Sequence, residues 1–377
     1  MSDFNSTVAT QLIEKIAYYK FYISKELFSF SSLNKPISEI PFDTGIPLID
    51  DWFYKFSLNG LTPMLFALTY FTSVHLMNNV VLKRQFGVVK ANPTKYKEIL
   101  SKKTLSEKDL KSLPAAPYQF SKTQIFKFFV ILHNLFLCVY SVWTFIGMTS
   151  TIYTNYHELL PVAFSNLKDK IYQNLKDSKD YPYSQFFWQS ICDIDNGIWY
   201  NKDTLKGLSF YSYIFYLSKF YEIIDTMIIL AKGRQSSLLQ SYHHSGAMLS
   251  MWAGVRYASP PIWIFVVFNS FIHSIMYFYF TLSTLKIKVP KVFKQVLTTM
   301  QIIQFVVGGS LAVCHLFVHY LDSITGTFKA CIPSSAEALA IWINVIYLTP
   351  LTMLFAAFWI DSYSKKSKLI NAAKKTN

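Results

Sequence analysis

Charge is scarce in this 377-residue chain: Asp, Glu, Lys and Arg together make up 15% of it, where a soluble domain carries about 25%. The few charges avoid the long apolar runs, which argues against the two ordinary soluble domains that the length alone would accommodate. Cysteine is equally sparse, and four in a chain this long do not make a disulfide framework. Cys138 and Cys314 fall in apolar runs, as packing residues; Cys192 and Cys331 fall between runs, where oxidation and a mutual pairing are open to them. No basic segment followed by an apolar one marks a cleavable signal peptide at the start. No repeat or low-complexity tract stands out. A net charge of +14 could suit nucleic acid, but no basic, aromatic-interleaved surface separates itself from the apolar runs, so no nucleic-acid partner is expected.

What is abundant is apolar surface, with 52% hydrophobic and 18% aromatic residues. About twenty apolar residues cross a bilayer as a helix. Seven stretches come close to that length: 61–82, 123–149, 208–231, 236–256, 259–283, 295–320 and 336–360. The third and fourth carry the most polar residues. The expected fold class is therefore an all-α polytopic membrane protein with seven transmembrane helices.

Basic residues set its orientation. Between the first two spans, residues 83–122 hold ten Lys/Arg against three acids, whereas 150–205 hold seven acids and five lysines. Lys286, Lys288, Lys291 and Lys294 follow the fifth span, and Lys365, Lys366, Lys368, Lys374 and Lys375 lie in the tail. Lys/Arg-rich loops are cytoplasmic, which puts the N-terminus in the lumen and the C-terminus in the cytosol. Asn5-Ser6-Thr7 is a glycosylation acceptor pattern usable only on the lumenal side. Lys374-Lys375-Thr376-Asn377 has the form of a dilysine retrieval signal of the endoplasmic reticulum membrane, a receptor-read address. The expected organisation is a lumenal lead-in over 1–60, one membrane domain over 61–360 and a basic cytosolic tail over 361–377. The lead-in includes an amphipathic stretch over 7–28. The 150–205 segment is long for a loop and suggests a structured lumenal cap.

Ionisable residues inside spans are costly and face the bundle interior, so they are candidates for function. They occur at helical spacing in four spans. The third presents Lys219, Glu222, Asp225 and Thr226 on one face. The fourth presents Gln240, His243 and His244, the fifth Asn269, His273, Met276 and Tyr277, and the sixth Thr298, Gln301 and Gln304. At 1.5 Å per residue, Asp225, His243 and Gln301 lie roughly 9 Å from the cytosolic ends of their spans, with Glu222, His273 and Gln304 at roughly 13–15 Å. Four helices thus bring polar groups to one level. Plainer readings exist for other residues. His75 and His133 read as packing histidines, His157 as a loop residue, and His315 with His319 as a hydrogen-bonded pair near the lumenal end. Lys219, Glu222 and Asp225 could form only a buried ion-pair network.

Two chemistries compete for this cluster. Iron held by histidine boxes, as in acyl-lipid desaturases, needs about eight histidines at one level. This chain has eight in all, scattered in depth, so no metal and no other cofactor is expected. The other chemistry uses an imidazole as nucleophile or base, oriented by amides and carboxylates. A seven-span transporter or receptor is the non-enzymatic rival; it would line an open path with its polar groups instead of gathering them at one depth.

These residues resemble the fatty-acid elongase family, the condensing enzymes of endoplasmic-reticulum chain elongation. The KxxExxDT signature stands at Lys219, Glu222, Asp225 and Thr226, and the histidine box at Gln240, His243 and His244. The NxxxHxxMYxYY pattern stands at Asn269, His273, Met276, Tyr277 and Tyr279, with Phe280 in the last tyrosine position. Thr298, Gln301 and Gln304 match TxxQxxQ, and His133-Asn134 is similar to a further family feature. The resemblance implies six helices forming an inverted barrel around an acyl-chain tunnel, with the first span outside it. It implies condensation of malonyl-CoA with a long-chain acyl-CoA, releasing carbon dioxide and CoA and giving 3-oxoacyl-CoA. In its ping-pong form His243 attacks the thioester. By the same resemblance His273 would assist malonyl binding or decarboxylation, and Glu222, Asp225 and His244 would orient or polarise the imidazole. Gln240, Asn269, Tyr277, Gln301 and Gln304 bind substrate, and Lys219 and the cytosolic lysines meet the CoA phosphates. Partners implied are the lipid bilayer and the reductases and dehydratase of the elongation cycle; a homo-oligomer is left open. Gln240 departs from the family, where many members have His. An amide cannot titrate near neutral pH, so acid–base work falls to His243, His244 or His273. The QxxHH form is similar to that of members acting on polyunsaturated chains.

Overall fold

The computed structural model describes residues 17–19, 23–29, 34–102, 104, 107–159, 183–200, 207–322 and 327–364. The Asn5 pattern, most of the 7–28 stretch, the dilysine-like tail and the middle of the 150–205 segment lie outside them. Helices account for most of what is described: α1 (Asp51–Leu58), α2 (Leu61–Ala91), α3 (Lys97–Leu100), α4 (Glu107–Ser112), α5 (Gln124–Thr154), α6 (Tyr183–Cys192), α7 (Leu208–Tyr221), α8 (Ile223–Ala231), α9 (Leu238–Arg256), α10 (Ile262–Thr284), α11 (Lys291–Cys314) and α12 (Ser335–Trp359). Among the described residues, five helical segments are long and apolar enough to cross a membrane: Leu61–Ala91, Gln124–His157, Ile262–Thr284, Lys291–Phe317 and Ser335–Tyr363. The protein is a helical, multi-pass membrane protein.

The other two expected spans differ for a physical reason. The 208–231 run is two helices, α7 and α8, that meet at Glu222, whose ψ of −14° departs from regular α-helix. The 236–256 run is the single helix α9, whose Gln240, His243 and His244 dilute its apolar character. Both are shielded by the longer helices. Residues 208–216 are buried almost without interruption, so these helices face protein where the long helices face lipid. Exposed Leu65, Phe66, Leu132, Phe136, Ile303 and Ile346 lie on those long helices.

Helix starts follow local chemistry. Asp50, Thr123, Ser237 and Ser334 each accept a hydrogen bond from a main-chain N–H in the first turn of α1, α5, α9 and α12. The turn after α8 needs Gly233, at φ +69°, where a Cβ would lie 2.2 Å from the Ala116 carbonyl oxygen.

Helix neighbours form a closed circuit. α5 lies along α10, α10 against α11, α11 against α12, α12 against α9, α9 against α7, and α7 against α5. α2 lies against α9 from the other side. The core runs through aromatic contacts: Phe42 meets Phe210 edge-on at 5.5 Å, and Tyr54 meets Tyr213 at 4.8 Å. The described lead-in belongs to this core. Ser57 Oγ and the Tyr213 hydroxyl are 2.9 Å apart, and Tyr216 donates to the Ser57 carbonyl at 2.7 Å.

The all-α expectation has one departure. A small antiparallel sheet in the order β1 (Ala17–Tyr19), β2 (Val318–Leu321), β3 (Phe328–Ala330) covers one end of the bundle, with Tyr18 opposite His319 and Tyr320 opposite Lys329. Such short strands carry no periodic signal of their own; pairing across the chain defines them. Lys329 donates to buried Asp322 at 2.7 Å, which raises the ammonium above its ordinary pKa. Cys192, at the end of α6, forms a disulfide with Cys331 beyond β3, 139 residues later. Closing so long a loop restricts the unfolded chain strongly. Denatured without reductant, the protein should react with maleimide at two of its four cysteines, Cys138 and Cys314. Four labelled thiols would rule out the bridge.

Candidate functional site

The break between α7 and α8 places two carboxylates at different depths, and each finds its own partners. Glu222 Oε1 accepts from Lys219 Nζ at 2.6 Å and from Ser218 Oγ at 3.3 Å, and lies 4.0 Å from His273 Nδ1. Lys219 also donates to Asn269 Oδ1 at 3.3 Å and sits 3.8 Å from the centre of the Phe215 ring. Asp225 Oδ1 is 2.9 Å from His133 Nε2, and Oδ2 accepts from the Tyr277 hydroxyl at 2.7 Å. His133 Nδ1 lies 3.3 Å from the Tyr221 hydroxyl. The plain packing role expected for His133 is therefore corrected: its imidazole is bonded to the Asp225 carboxylate. Thr226 is bonded to Tyr70 of α2 at 2.7 Å.

α9 carries the imidazoles. His244 Nε2 is 2.8 Å from Gln240 Nε2 one turn earlier, while its Nδ1 is buried without a partner. The rings of His243 and His244 are centred 5.3 Å apart. His243 Nδ1 lies 2.9 Å from the hydroxyl of Tyr347 on α12, and that same hydroxyl donates to the His243 carbonyl at 3.0 Å. Gly246 makes this contact feasible. A Cβ there would lie 2.2 Å from two Tyr347 ring carbons, so only glycine lets the ring lie across α9.

Two cavities meet at His243. The larger takes in about 1560 Å³ of space, part of it open solvent, and is lined by His244, His273, Asp225, Gln240, Tyr277 and Gln301, among others. Lys232 and Lys294 line it too. The smaller, about 490 Å³, is mostly apolar, with Phe215, Met251, Phe265, Phe305 and Leu348 in its walls. His243 lines both. The polar residues expected at one level are thus brought together, but they divide between the cavities. Gln301, whose amide lies 3.7 Å from Met276 Sδ, faces the larger one; Gln304, Asn269 and Lys219 face the smaller. Among the described residues, no group of three or more His, Cys, Asp and Glu side chains is arranged to hold a metal ion.

Residues 57–370 match the GNS1/SUR4 family. The chain belongs to this family. Among relatives bearing fatty-acid-elongase names, it is similar to fatty acid elongase A of Dictyostelium discoideum, 31% identical over 250 residues that cover 66% of this chain and 76% of the relative. Fatty acid elongase 2 of Trypanosoma brucei brucei is 27% identical over 65% and 78% of the two chains. Very long chain fatty acid elongase 3 of Homo sapiens is 31% identical over 46% and 59%. No solved structure matches.

Against this GNS1/SUR4 background, sequence reasoning missed Tyr347 and Asn344, which stand one turn apart in the seventh apolar run and line the smaller chamber. The polar spacing was present, but tyrosine occurs 25 times in this chain and a single Tyr carried no distinguishing signal. The other distant histidines do not reach the site. His75 lies 3.3 Å from Ser241, His315 is bonded to the Leu311 carbonyl at 2.7 Å, and His157 meets Tyr153 at a tilt and Tyr156 edge-on. Asp225→Asn leaves His133 or Tyr277 mispaired and should destabilise the protein by about 1–3 kcal/mol. A thermal unfolding midpoint in detergent equal to that of the unaltered protein would contradict this.

Proposed function

We propose that the protein condenses malonyl-CoA with a long-chain fatty acyl-CoA, with loss of carbon dioxide, to give 3-oxoacyl-CoA and free CoA. The observation that carries this reading is the position of His243, whose imidazole stands where a larger cavity rich in polar side chains meets a smaller, more apolar chamber. A thioester carbonyl at that junction would have its CoA portion in the first and its acyl chain in the second.

Tyr347 prepares the imidazole for attack. Its single hydroxyl hydrogen goes to the His243 carbonyl, which can only accept, so its oxygen is the acceptor opposite Nδ1. The proton of the neutral ring is then on Nδ1, and Nε2 keeps its lone pair. Nε2 attacks the acyl thioester and the carbon–sulfur bond breaks; the ring keeps its Nδ1 proton as the acyl-imidazolium, and the departing thiolate takes a proton from solvent to leave as CoA. Malonyl-CoA then loses carbon dioxide, and the resulting thioester enolate attacks the acyl-imidazole. The new carbon–carbon bond forms as the carbon–nitrogen bond breaks, which restores the imidazole. His273 faces the same cavity and would assist decarboxylation. Glu222, Asp225 and His244 would polarise the site. Gln240, Gln301 and Tyr277 would bind the thioester and malonyl groups, Asn269 and Gln304 the acyl side. Lys232 and Lys294 would meet CoA phosphates at the mouth.

The closed circuit of helices supports a six-helix barrel with α2 outside it, and the shielded α7–α8 and α9 would complete seven crossings. The lysine-lined mouth would face the cytosol, as would a basic tail after residue 360. The sheet and disulfide would face the oxidising lumen of the endoplasmic reticulum, on the same side as the 1–60 lead-in. A 3-oxoacyl product calls for reduction, dehydration and a second reduction, so reductases and a dehydratase are the expected working partners.

Purified protein given labelled malonyl-CoA and long-chain acyl-CoAs should form 3-oxoacyl-CoA without added metal, and His243→Ala should show no acyl adduct by peptide mass spectrometry. An adduct persisting in that variant would overturn the assignment of the nucleophile. Tyr347→Phe and Gly246→Ala should both slow condensation about ten- to a hundredfold, the effect of losing about 1–3 kcal/mol of orienting hydrogen bond. Rates matching the unaltered enzyme in both would remove Tyr347 from the mechanism.

A further inference from the structure

The smaller chamber has mostly apolar walls, yet three amide side chains open into it, Asn269 from α10, Gln304 from α11 and Asn344 from α12; Asn269 Oδ1 is already met by Lys219 at 3.3 Å. Asn344 is only 4% exposed, and its Nδ2 donates to the Ala340 carbonyl at 2.8 Å. A carbonyl can only accept, so this bond fixes which end of the amide faces the helix and leaves Oδ1 turned away from it. Oδ1 is buried with no hydrogen-bond partner, and so is Gln304 Oε1. An unpaired buried acceptor is unfavourable, and the hydrocarbon around a membrane bundle offers it no donor. Polar groups kept in such places mark the path of a substrate. A wholly aliphatic chain would leave both oxygens unpaired.

Their position along the chamber is defined. Asn344 lies three residues from Tyr347, which holds His243, and Gln304 lies three residues from Gln301, which lines the larger cavity. Three helical residues rise about 4.5 Å, and both steps lead towards the end of the bundle covered by the sheet. Beyond Asn344 a small pocket continues among Gly254, Ile262, Ala312 and Ile341. The two oxygens therefore flank the chamber's course a short way past the reacting imidazole, not at its end.

We propose that this chamber accepts acyl chains bearing a hydroxyl group, with Asn344 Oδ1 taking the hydroxyl hydrogen and Gln304 Oε1 offering a second acceptor beside it. The inference rests on the condensation reading, since it assumes that the acyl chain runs through the chamber from His243. Because the offset from the imidazole is set, the preference should be positional: one short run of hydroxyl positions along the chain fits, and others do not.

The test compares octadecanoyl-CoA with its positional monohydroxy isomers. For the unaltered enzyme, isomers within one short run should be elongated with a kcat/KM at least equal to that of the plain chain. Asn344→Leu should lower that hydroxy-to-plain ratio about tenfold, the loss of one hydrogen bond to a buried partner. Reading a ratio cancels any general loss of activity in the variant. Thermal stabilisation of the unaltered protein by each acyl-CoA measures the same preference without turnover. It still decides the question if Asn344→Leu does not fold, or if no acyl-CoA is condensed, an outcome that would sink the condensation reading separately. Uniformly poorer use and binding of every hydroxy isomer, the behaviour expected if a bound water meets Oδ1, would overturn the proposal. A ratio unchanged in Asn344→Leu would overturn it as well.

Discussion

A charge inside a membrane bundle must be met by an opposite charge or a hydrogen-bond donor of the same bundle, and the arrangement around Glu222 and Asp225 follows from that requirement. Lys219 answers Glu222 at 2.6 Å, while His133 and Tyr277 answer Asp225 at 2.9 and 2.7 Å. The Asp225 contacts tie α8 to α5 and α10, the helices of the most extensive contact in the fold, and Lys219 ties α7 to α10 through Asn269. The break at Glu222 belongs to the same solution. It lets one chain segment present two carboxylates to different neighbours, where an unbroken helix would hold them on one stripe.

With the charges satisfied nearby, the imidazoles are left to hydrogen bonds between neutral groups. His243 is held through Tyr347 and His244 through Gln240. Both contacts depend on small or polar residues one turn away on α9, Gly246 for the first and Gln240 for the second. The amide at 240 cannot exchange a proton near neutral pH, so it holds a ring in place without competing for its chemistry. The partition between a polar and an apolar cavity then falls at a single residue, His243.

The opposite end of the bundle is closed by different means. A three-stranded sheet, the Cys192–Cys331 bridge and the Lys329–Asp322 pair draw together segments far apart in the chain. The aromatic core of Phe42, Tyr54, Phe210 and Tyr213 lies on that side, so the described lead-in contributes to the same packing as the helices.

Much of this was legible in the chain itself. Apolar runs of bilayer length announce a membrane bundle because hydrocarbon tolerates little else, and polar residues repeating at helical spacing within those runs announce an interior site. That reasoning located Lys219, Glu222, Asp225, His243, His244 and His273. It failed where position depends on a partner from another helix. His133 looked like any packing histidine until Asp225 was placed against it, and Tyr347 was one tyrosine among many until Gly246 let it cross α9. The separation of Gln301 from Gln304 was equally hidden, because spacing along one helix gives a shared face but not the wall that divides two cavities. The sequence by itself determined the class, the lipid-facing lengths and the residue types of the paired histidines' surroundings, since these follow from local composition and period. Only the tertiary structure decided which partner each side chain has and on which side of His243 it stands, because those contacts join different helices, with partners 52 positions apart for Asp225 and Tyr277, 92 for Asp225 and His133 and 104 for His243 and Tyr347.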